Sequence, residues 1–185
     1  MFTEDFEKAN QSMELFLKEI NSFTRYGKEI ISIENSSHPI LRMFDKYSGI
    51  DAIQITKDNQ IRTIAIRVQF GTAWDTFTIR YKRHNGAETE YKKRLDAIKN
   101  EKLYPNLTLQ CYLSNDFKEI LSCGIIQTKT LYKQIQERPE IKKIRSAKED
   151  ANIFLYVSFY DLDEVLIYKN KKINFYKLAR NRDGP

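Results

Sequence analysis

The chain has few of the residues that build zinc sites, disulfide frameworks and phosphate-binding loops. It contains two cysteines, two histidines, six glycines and four prolines. His38 and His84 are far apart and no paired-cysteine spacing occurs, so the usual zinc arrangements cannot form and any metal would need oxygen ligands. Cys111 and Cys123 each lie inside an apolar segment, which predicts free buried thiols. No glycine-rich phosphate loop is present.

Long apolar runs and biased tracts are also missing. No run approaches the roughly 20 apolar residues of a membrane span. The first residues, MFTEDFEK, are acidic and lack the apolar centre of a secretory signal peptide. We therefore expect no membrane association and a cytoplasmic location. With 185 residues, 41% of them hydrophobic, the chain is long enough for one folded domain, residues 1–185, and too short for two ordinary ones.

Positive charge is in modest excess and unevenly placed. Lysine and arginine number 31 against 25 acids, and the chain from Thr128 onward holds 13 basic and 8 acidic residues, which is +5 of the total +6. Such an excess fits a polyanion partner. The candidate phosphate contacts are Arg80, Lys82, Arg83, Lys171, Lys172 and Arg180. An ordinary basic hairpin tip explains the first three equally well, and a solvated, frayed terminus is the plainer explanation of the last three.

The apolar pattern predicts both helices and strands. Amphipathic helices are expected over about residues 3–24, capped by Thr3, and over about 87–101. Strands are predicted at KEIISIE, on both arms of GIDAIQITKDNQIRTIAIRVQF, and at DTFTIRYKR, LTLQCYL, EILSCGIIQTK and NIFLYVSFYDL. ILRMFDKYSG is an irregular or briefly helical connection, and KTLYKQIQER a short helix. IKKIRSAKEDA is interpreted as helix or loop, and DEVLIYKNKKINFYKLA as strand and tail or as a closing helix.

This order of elements predicts an α/β fold with a mixed central sheet flanked by helices, because such a layer arrangement buries both faces of the sheet. The order begins with a helix and three strands and continues with a further strand, a helix and a strand. We expect this core to span about residues 3–113 and a C-terminal appendage to span about 114–185. No internal repeat or composition shift indicates a second domain.

The stretch D-x-x-x-G-I-D-x-I, from Asp45 to Ile53, followed by a second apolar strand, resembles the PD-(D/E)xK nucleases, which have a restriction-endonuclease-like fold with an αβββαβ core. In that superfamily an Asp opens the second core strand, and an acid or Gln followed two residues later by Lys lies on the third. The resemblance implies that Asp51 is a metal ligand. It further implies Mg²⁺ or Mn²⁺ as cofactor and nucleic acid as substrate, DNA rather than RNA. In such a site the metal activates a water against the phosphodiester, and the Lys orients that water or neutralises developing charge.

The third-strand element departs from the family. If Arg67 and Gln69 fill its two positions, the carboxylate has become a cation and the Lys an amide; if Gln69 fills the first, Gly71 falls on the second. Arg67 would then repel a metal, since unit charges about 4 Å apart interact by roughly 4 kcal/mol at an effective dielectric near 20. We expect Asp51, Arg67 and Gln69 to form a degenerate catalytic site.

Other acids could supply the second metal ligand. The available ones are Glu14, Asp45, Asp75, Glu88 and Glu90, and we take Glu14 and Asp45 as ligands alongside Asp51. Glu88 and Glu90 also suit the first turn of a helix, which is a structural role. Asp51 has a structural alternative too, which is to accept hydrogen bonds from backbone donors at the entrance of a strand.

Strand register decides whether the three site residues converge. With a two- or four-residue turn at KDNQ, Asp51 would face the apolar side while Arg67 and Gln69 faced the other. A three-residue turn or a β-bulge would bring all three together.

Three functions remain open from the sequence. The first is a metal-dependent nuclease, and the second is a nuclease-fold protein that binds nucleic acid without cutting it. The third is a protein-binding regulator or inhibitor of a nucleic-acid-processing system, which would use the aromatic segment FLYVSFYDL. A homodimer is compatible with each of them.

Overall fold

The computed structural model describes residues 27–33, 36–83, 85–116, 118–146, 152–170 and 172–176. The strands of these residues are β1 Gly27–Ser32, β2 Ala52–Thr56, β3 Ile61–Phe70, β4 Thr76–Lys82, β5 Leu107–Leu113, β6 Ile120–Gln127, β7 Lys143–Ser146, β8 Ile153–Ser158, β9 Val165–Lys169 and β10 Lys172–Tyr176. The helices are α1 Pro39–Met43, which continues as a π-helical turn Phe44–Ser48, α2 Glu90–Lys99 and α3 Thr128–Glu137. Single 3₁₀ turns lie at Pro139–Ile141 and Phe159–Asp161.

Seven of the described strands form one mixed sheet in the order β1-β2-β3-β5-β6-β9-β10. All its neighbours are antiparallel except β3 and β5, which run parallel. A parallel pair needs a crossover connection, and β4 with α2 supplies it. Three strands that follow residue 113, namely β6, β9 and β10, belong to the same sheet.

A second sheet stands with its edge against the first. Its order is β4-β8-β7, so one side of β4 has no strand neighbour within this sheet. Along that side, Thr76 N–H donates to Tyr112 Oη at 3.3 Å and Thr78 N–H donates to Gln110 Oε1 at 3.3 Å. Side chains of β5 thus occupy the edge donors that another strand would take.

Two apolar cores lie on opposite faces of the large sheet. The larger core joins that sheet to the second sheet and to α3, through Tyr112, Phe77, Leu155 and Tyr132. The smaller core is centred on Ile64, Leu109 and the two cysteines of β5 and β6. The faces by which the two sheets contact each other are thus apolar. Polar residues lie at the corner between β3 and β4.

The α/β class with a mixed sheet is confirmed, and most predicted strands and the helices near 90–99 and 128–137 are present. IKKIRSAKEDA was predicted to be helix or loop, but Lys143–Ser146 is an edge strand paired with β8. Its four side chains are all exposed, so no burial pattern marks it as a strand. The closing-helix alternative for the last segment is wrong, because β9 and β10 are strands. The predicted helix 3–24 lies outside the described residues.

Among the described residues, no helix is both long and apolar enough to cross a bilayer.

Candidate functional site

The turn between β2 and β3 determines which side chains share a face. Ala52 lies opposite Ile64 and Ile55 opposite Ile61, and Thr56 N–H donates to the carbonyl of Gln60 at 2.9 Å. This register leaves three residues, 57–59, in the turn, with Asn59 in the left-handed region at φ 58°. The three-residue alternative is therefore the observed one. Asp51, Arg67 and Gln69 all lie on the same face of the sheet.

A pocket of about 210 Å³ opens on this face, in the corner between the two sheets. Its polar lining comes from five parts of the chain, which are the entrance of β2, the middle of β3, the middle of β4, the first turns of α2 and the middle of β5. The side chains that carry charge or an amide are Asp51, Arg67, Glu90, Arg94 and Gln110. Polar groups that converge in a concave site make this pocket the candidate binding site.

Arg67 and Glu90 form an ion pair inside the pocket. Arg67 Nη2 lies 2.9 Å from Glu90 Oε2, and the two side chains are 28% and 27% exposed, so solvent and ligands can reach both. Glu90 is the first residue of α2, whose N-cap Thr89 accepts a hydrogen bond from Lys92 N–H. The helix start therefore fixes the position of the Glu90 backbone and suits its negative charge.

Asp51 is held at the entrance of β2 by its own side chain. Its Oδ2 accepts a hydrogen bond from Ile66 N–H at 2.5 Å. Ile33 N–H donates to its carbonyl, and its own N–H donates to the carbonyl of Ile64. The structural role that the sequence left open for Asp51 is thus present. The carboxylate nevertheless lines the pocket.

Arg94 secures the segment that precedes Asp51. Its side chain is buried, and its guanidinium donates to the carbonyls of Ser48 at 2.5 Å and Gly49 at 2.9 Å. Gly49 has φ 57°, and a Cβ there would lie 3.0 Å from Arg94 Nη2. A glycine is therefore required at this turn both by backbone conformation and by the approach of the guanidinium.

Gln69 joins the site through a neighbour. Its Oε1 accepts a hydrogen bond from Gln110 Nε2 at 3.4 Å, and Gln110 Oε1 accepts from Thr78 N–H. Gln69 itself does not line the pocket. Its position is compatible with holding Gln110 in place rather than with direct contact to a ligand.

The donor set does not assemble a divalent metal site among the described residues. No group of three or more His, Cys, Asp or Glu side chains lies close enough to hold an ion in the described part of the chain. Asp45 lies on the π-helical turn and does not line the pocket; burial raises the pKa of its carboxyl. Glu14 lies outside the described residues. The carboxylates that do line the pocket, Asp51 and Glu90, are engaged by Ile66 N–H and by Arg67.

The predicted nucleic-acid contacts fall in different places. Arg80 lies at the corner, where its guanidinium carbon is 5.8 Å from the ring centre of Phe154 and its backbone N–H donates to Glu90 Oε2 at 3.5 Å. Arg83 lines a neighbouring pocket of about 150 Å³, which shares Gly49, Glu90 and Arg94 with the first. Lys82 is exposed at the end of β4, and Lys172 is exposed on the edge strand β10. Lys171 and Arg180 lie outside the described residues.

Sequence reasoning missed Arg94 and Gln110. Arg94 follows Glu90 by four residues on α2, a spacing that places both on one side of a helix, but its carbonyl partners come from 45 and 46 residues earlier. Gln110 is the polar residue in the otherwise apolar run LTLQCYL, and it is 1% exposed. A buried amide within a strand was the available signal, since such a group needs hydrogen-bond partners.

Comparison of the chain with family models, with curated proteins and with solved structures gives no match.

Proposed function

We propose that this protein binds a phosphodiester of nucleic acid in the pocket formed by Arg67, Glu90 and Asp51. The position of Arg67 carries the proposal, because its guanidinium lines the pocket, is 28% exposed, and belongs to the group that can bind a phosphate through two N–H donors at once. Arg67 is an unsuitable neighbour for a metal ion. The same positive charge attracts a phosphate directly.

The order of elements supports a restriction-endonuclease-like core. β1, β2, β3, α2 and β5 follow one another as the strands and helix of that fold do, with β4 added between β3 and α2. Asp51 immediately precedes the second strand, and Arg67 and Gln69 lie on the third. These are the positions at which the superfamily carries its functional residues.

Exchange of partners gives a physical route for binding. In the free protein Glu90 neutralises Arg67 at 2.9 Å, so the guanidinium is not left as an uncompensated charge in a half-buried site. A phosphate that approaches Arg67 competes with the Glu90 carboxylate for the same N–H donors. Arg80, whose guanidinium lies against the same Phe154 ring as that of Arg67, and Arg94, which lines the pocket, add positive potential at this position.

Binding to fluorescently labelled DNA and RNA tests the proposal. We expect an affinity that falls steeply with salt, because released counterions set that dependence. Replacing Arg67 with Ala should raise Kd about tenfold or more, as loss of a charge-assisted hydrogen bond does. The matched control is Arg62→Ala, which removes the same charge from the same strand on the opposite face.

Two outcomes would contradict the proposal. One is the absence of any salt-dependent binding by the folded protein. The other is an equal loss of affinity in Arg67→Ala and Arg62→Ala, since the pocket would then have no special part in binding.

Metal-dependent hydrolysis is a second candidate, favoured by the presence of two carboxylates, Asp51 and Glu90, in one pocket. Oxygen ligands of this kind suit Mg²⁺ or Mn²⁺, but both are engaged by protein donors. Incubation of the full chain with DNA and RNA, with Mn²⁺ or with chelator, tests this function. Cleavage that requires Mn²⁺ and is lost in both Asp51→Asn and Glu90→Gln would establish it.

The regulator alternative could use only part of its predicted segment. It relied on FLYVSFYDL, but Leu155, Val157 and Phe159 of that segment are buried in the larger core. The apolar part of the segment therefore stabilises the fold, and only its alternate residues face outward.

A further inference from the structure

One face of the second sheet borders the candidate pocket and is both aromatic and basic. The strand register places Arg80 opposite Phe154 and Thr78 opposite Tyr156, with Arg145 and Lys143 next to them on β7. The alternate residues of β4 and β8 are buried in the larger core. These side chains, of which Thr78 is buried, form with Thr76 and Ser158 what we call the corner face.

The corner face is continuous with the pocket through Arg67. The guanidinium carbon of Arg67 lies 5.9 Å from the ring centre of Phe154, and that of Arg80 lies 5.8 Å from it. The ring centre of Tyr156 is 6.5 Å from that of Phe154. Two guanidinium groups therefore lie against Phe154, and Tyr156 lies beside that ring farther along β8.

Charge on the corner face has one sign. Arg80, Arg145 and Lys143 contribute three positive charges, and none of its other members, which are Thr76, Thr78, Phe154, Tyr156 and Ser158, is acidic. Lys143 and Arg145 are exposed, and the two rings are half-buried, so each presents part of its surface to solvent. The face fits a polyanion that also carries flat, apolar groups.

Bases offer such flat groups only when they are unpaired. In a duplex each base is stacked between its neighbours, and opening a pair to expose it costs a few kcal/mol. In a single strand every base has an accessible face that can stack on an aromatic ring or on a guanidinium plane. A row of rings and cations on a sheet therefore favours single strands over duplexes.

We propose that the corner face binds single-stranded nucleic acid, whose bases stack on Phe154 and Tyr156 while a phosphate lies at Arg67. This inference rests on the proposed function and specifies its substrate. Arg80, Arg145 and Lys143 contact the backbone of the strand on either side of the stacked bases. Unpaired segments of nucleic acid are thus directed toward the pocket.

The experiment measures fluorescence anisotropy of labelled oligothymidine, of a duplex of the same length and of oligouridine with the full chain. Unlabelled inorganic polyphosphate serves as a competitor that has charge but no bases. We expect single strands to bind at least about tenfold more tightly than the duplex. Polyphosphate should compete more weakly than unlabelled oligothymidine.

Variants of the rings separate stacking from charge. Phe154→Ala should weaken single-strand binding by about fivefold to a hundredfold and leave duplex binding nearly unchanged. Phe154→Trp should retain binding, because it keeps a stacking surface. Phe175→Ala removes an exposed phenylalanine from β10 and should have no effect. Tyr156→Leu provides a second test if Phe154→Ala does not fold, as judged by circular dichroism.

The outcomes distinguish the two proposals. Salt-sensitive binding that depends on Arg67 but not on Phe154 or Tyr156, or a preference for the duplex, overturns this inference and leaves the proposed function intact. Equal competition by polyphosphate and oligothymidine also overturns it, since the face would then recognise charge alone. If no nucleic acid binds at all, both proposals fail.

Discussion

Asp51 has a measurable structural role because Ile66 N–H depends on its carboxylate. We expect Asp51→Ala to reduce the free energy of unfolding by about 1–3 kcal/mol, which is the cost of leaving a backbone donor without its partner. Asp51→Asn keeps an acceptor oxygen and should lose less. Urea denaturation of the three proteins measures the difference.

Equal stability of Asp51→Ala and the unchanged chain would show that the bond to Ile66 contributes nothing. The Asn variant has a further use. If it keeps nucleic-acid binding, Asp51 serves the fold, and the phosphate site is formed by other residues of the pocket.

Gly124 is required by the close approach of Phe159. A Cβ at this position would lie 2.6 Å from two carbons of the Phe159 ring, which is too short for any contact. Gly124→Ala should therefore destabilise the protein by about 1–3 kcal/mol, as overpacking of a core does. Thermal unfolding measures the effect, and adding Phe159→Leu to the same chain should recover part of it. No recovery would indicate that the cost comes from the strand backbone instead.

At the scale of elements, α2 is tied to the turn before β2 by one side chain. Arg94 donates to the carbonyls of Ser48 and Gly49 across 46 and 45 residues of sequence. We expect Arg94→Met, which keeps much of the volume, to reduce the free energy of unfolding by about 3 kcal/mol because two carbonyls lose charged donors. Arg94→Lys should fall between, since a single ammonium replaces a fork of donors. Urea denaturation is the measurement, and a Met variant as stable as the parent would refute the role.

Most elements with a buried face could be predicted from the sequence, and the exposed strand β7 could not. β3 and β5 have apolar residues that mark them as strands, and the residue pattern of α2 has helical spacing. Lys143–Ser146 has four exposed side chains, so nothing in its composition separates an edge strand from a loop. The basic residues that hide it are typical of strands that avoid pairing with other chains.

The length of the turn between β2 and β3 also could not be predicted from the sequence. KDNQ is compatible with turns of two, three or four residues, because each can use Asn or Asp at its special positions. The left-handed conformation of Asn59 selects three. That one choice decides whether Asp51 and Arg67 share a face.

At the scale of the whole molecule, the two cysteines report on the integrity of the core. Cys111 and Cys123 face each other across β5 and β6, and both are 0% exposed. Burial raises the pKa of the Cys111 thiol, which lowers its reactivity further. We expect neither thiol to react with an aromatic disulfide reagent under native conditions, and both to react in denaturant. Rapid reaction of the native protein would contradict the described packing of the smaller core.

The sequence by itself determined the types of most elements, the α/β class and the burial of the cysteines, because these depend on the local spacing of apolar residues. It also placed Asp51, Arg67 and Gln69 on the correct strands or at their entrance. Their convergence with Glu90 was decided only by the tertiary structure. Arg67 and Glu90 are 23 residues apart, and they meet because β4 and α2 form the crossover between two parallel strands. Local periodicity carries no information about the course of the chain through β4 and α2. The lining of the pocket could therefore be predicted from the sequence only in part.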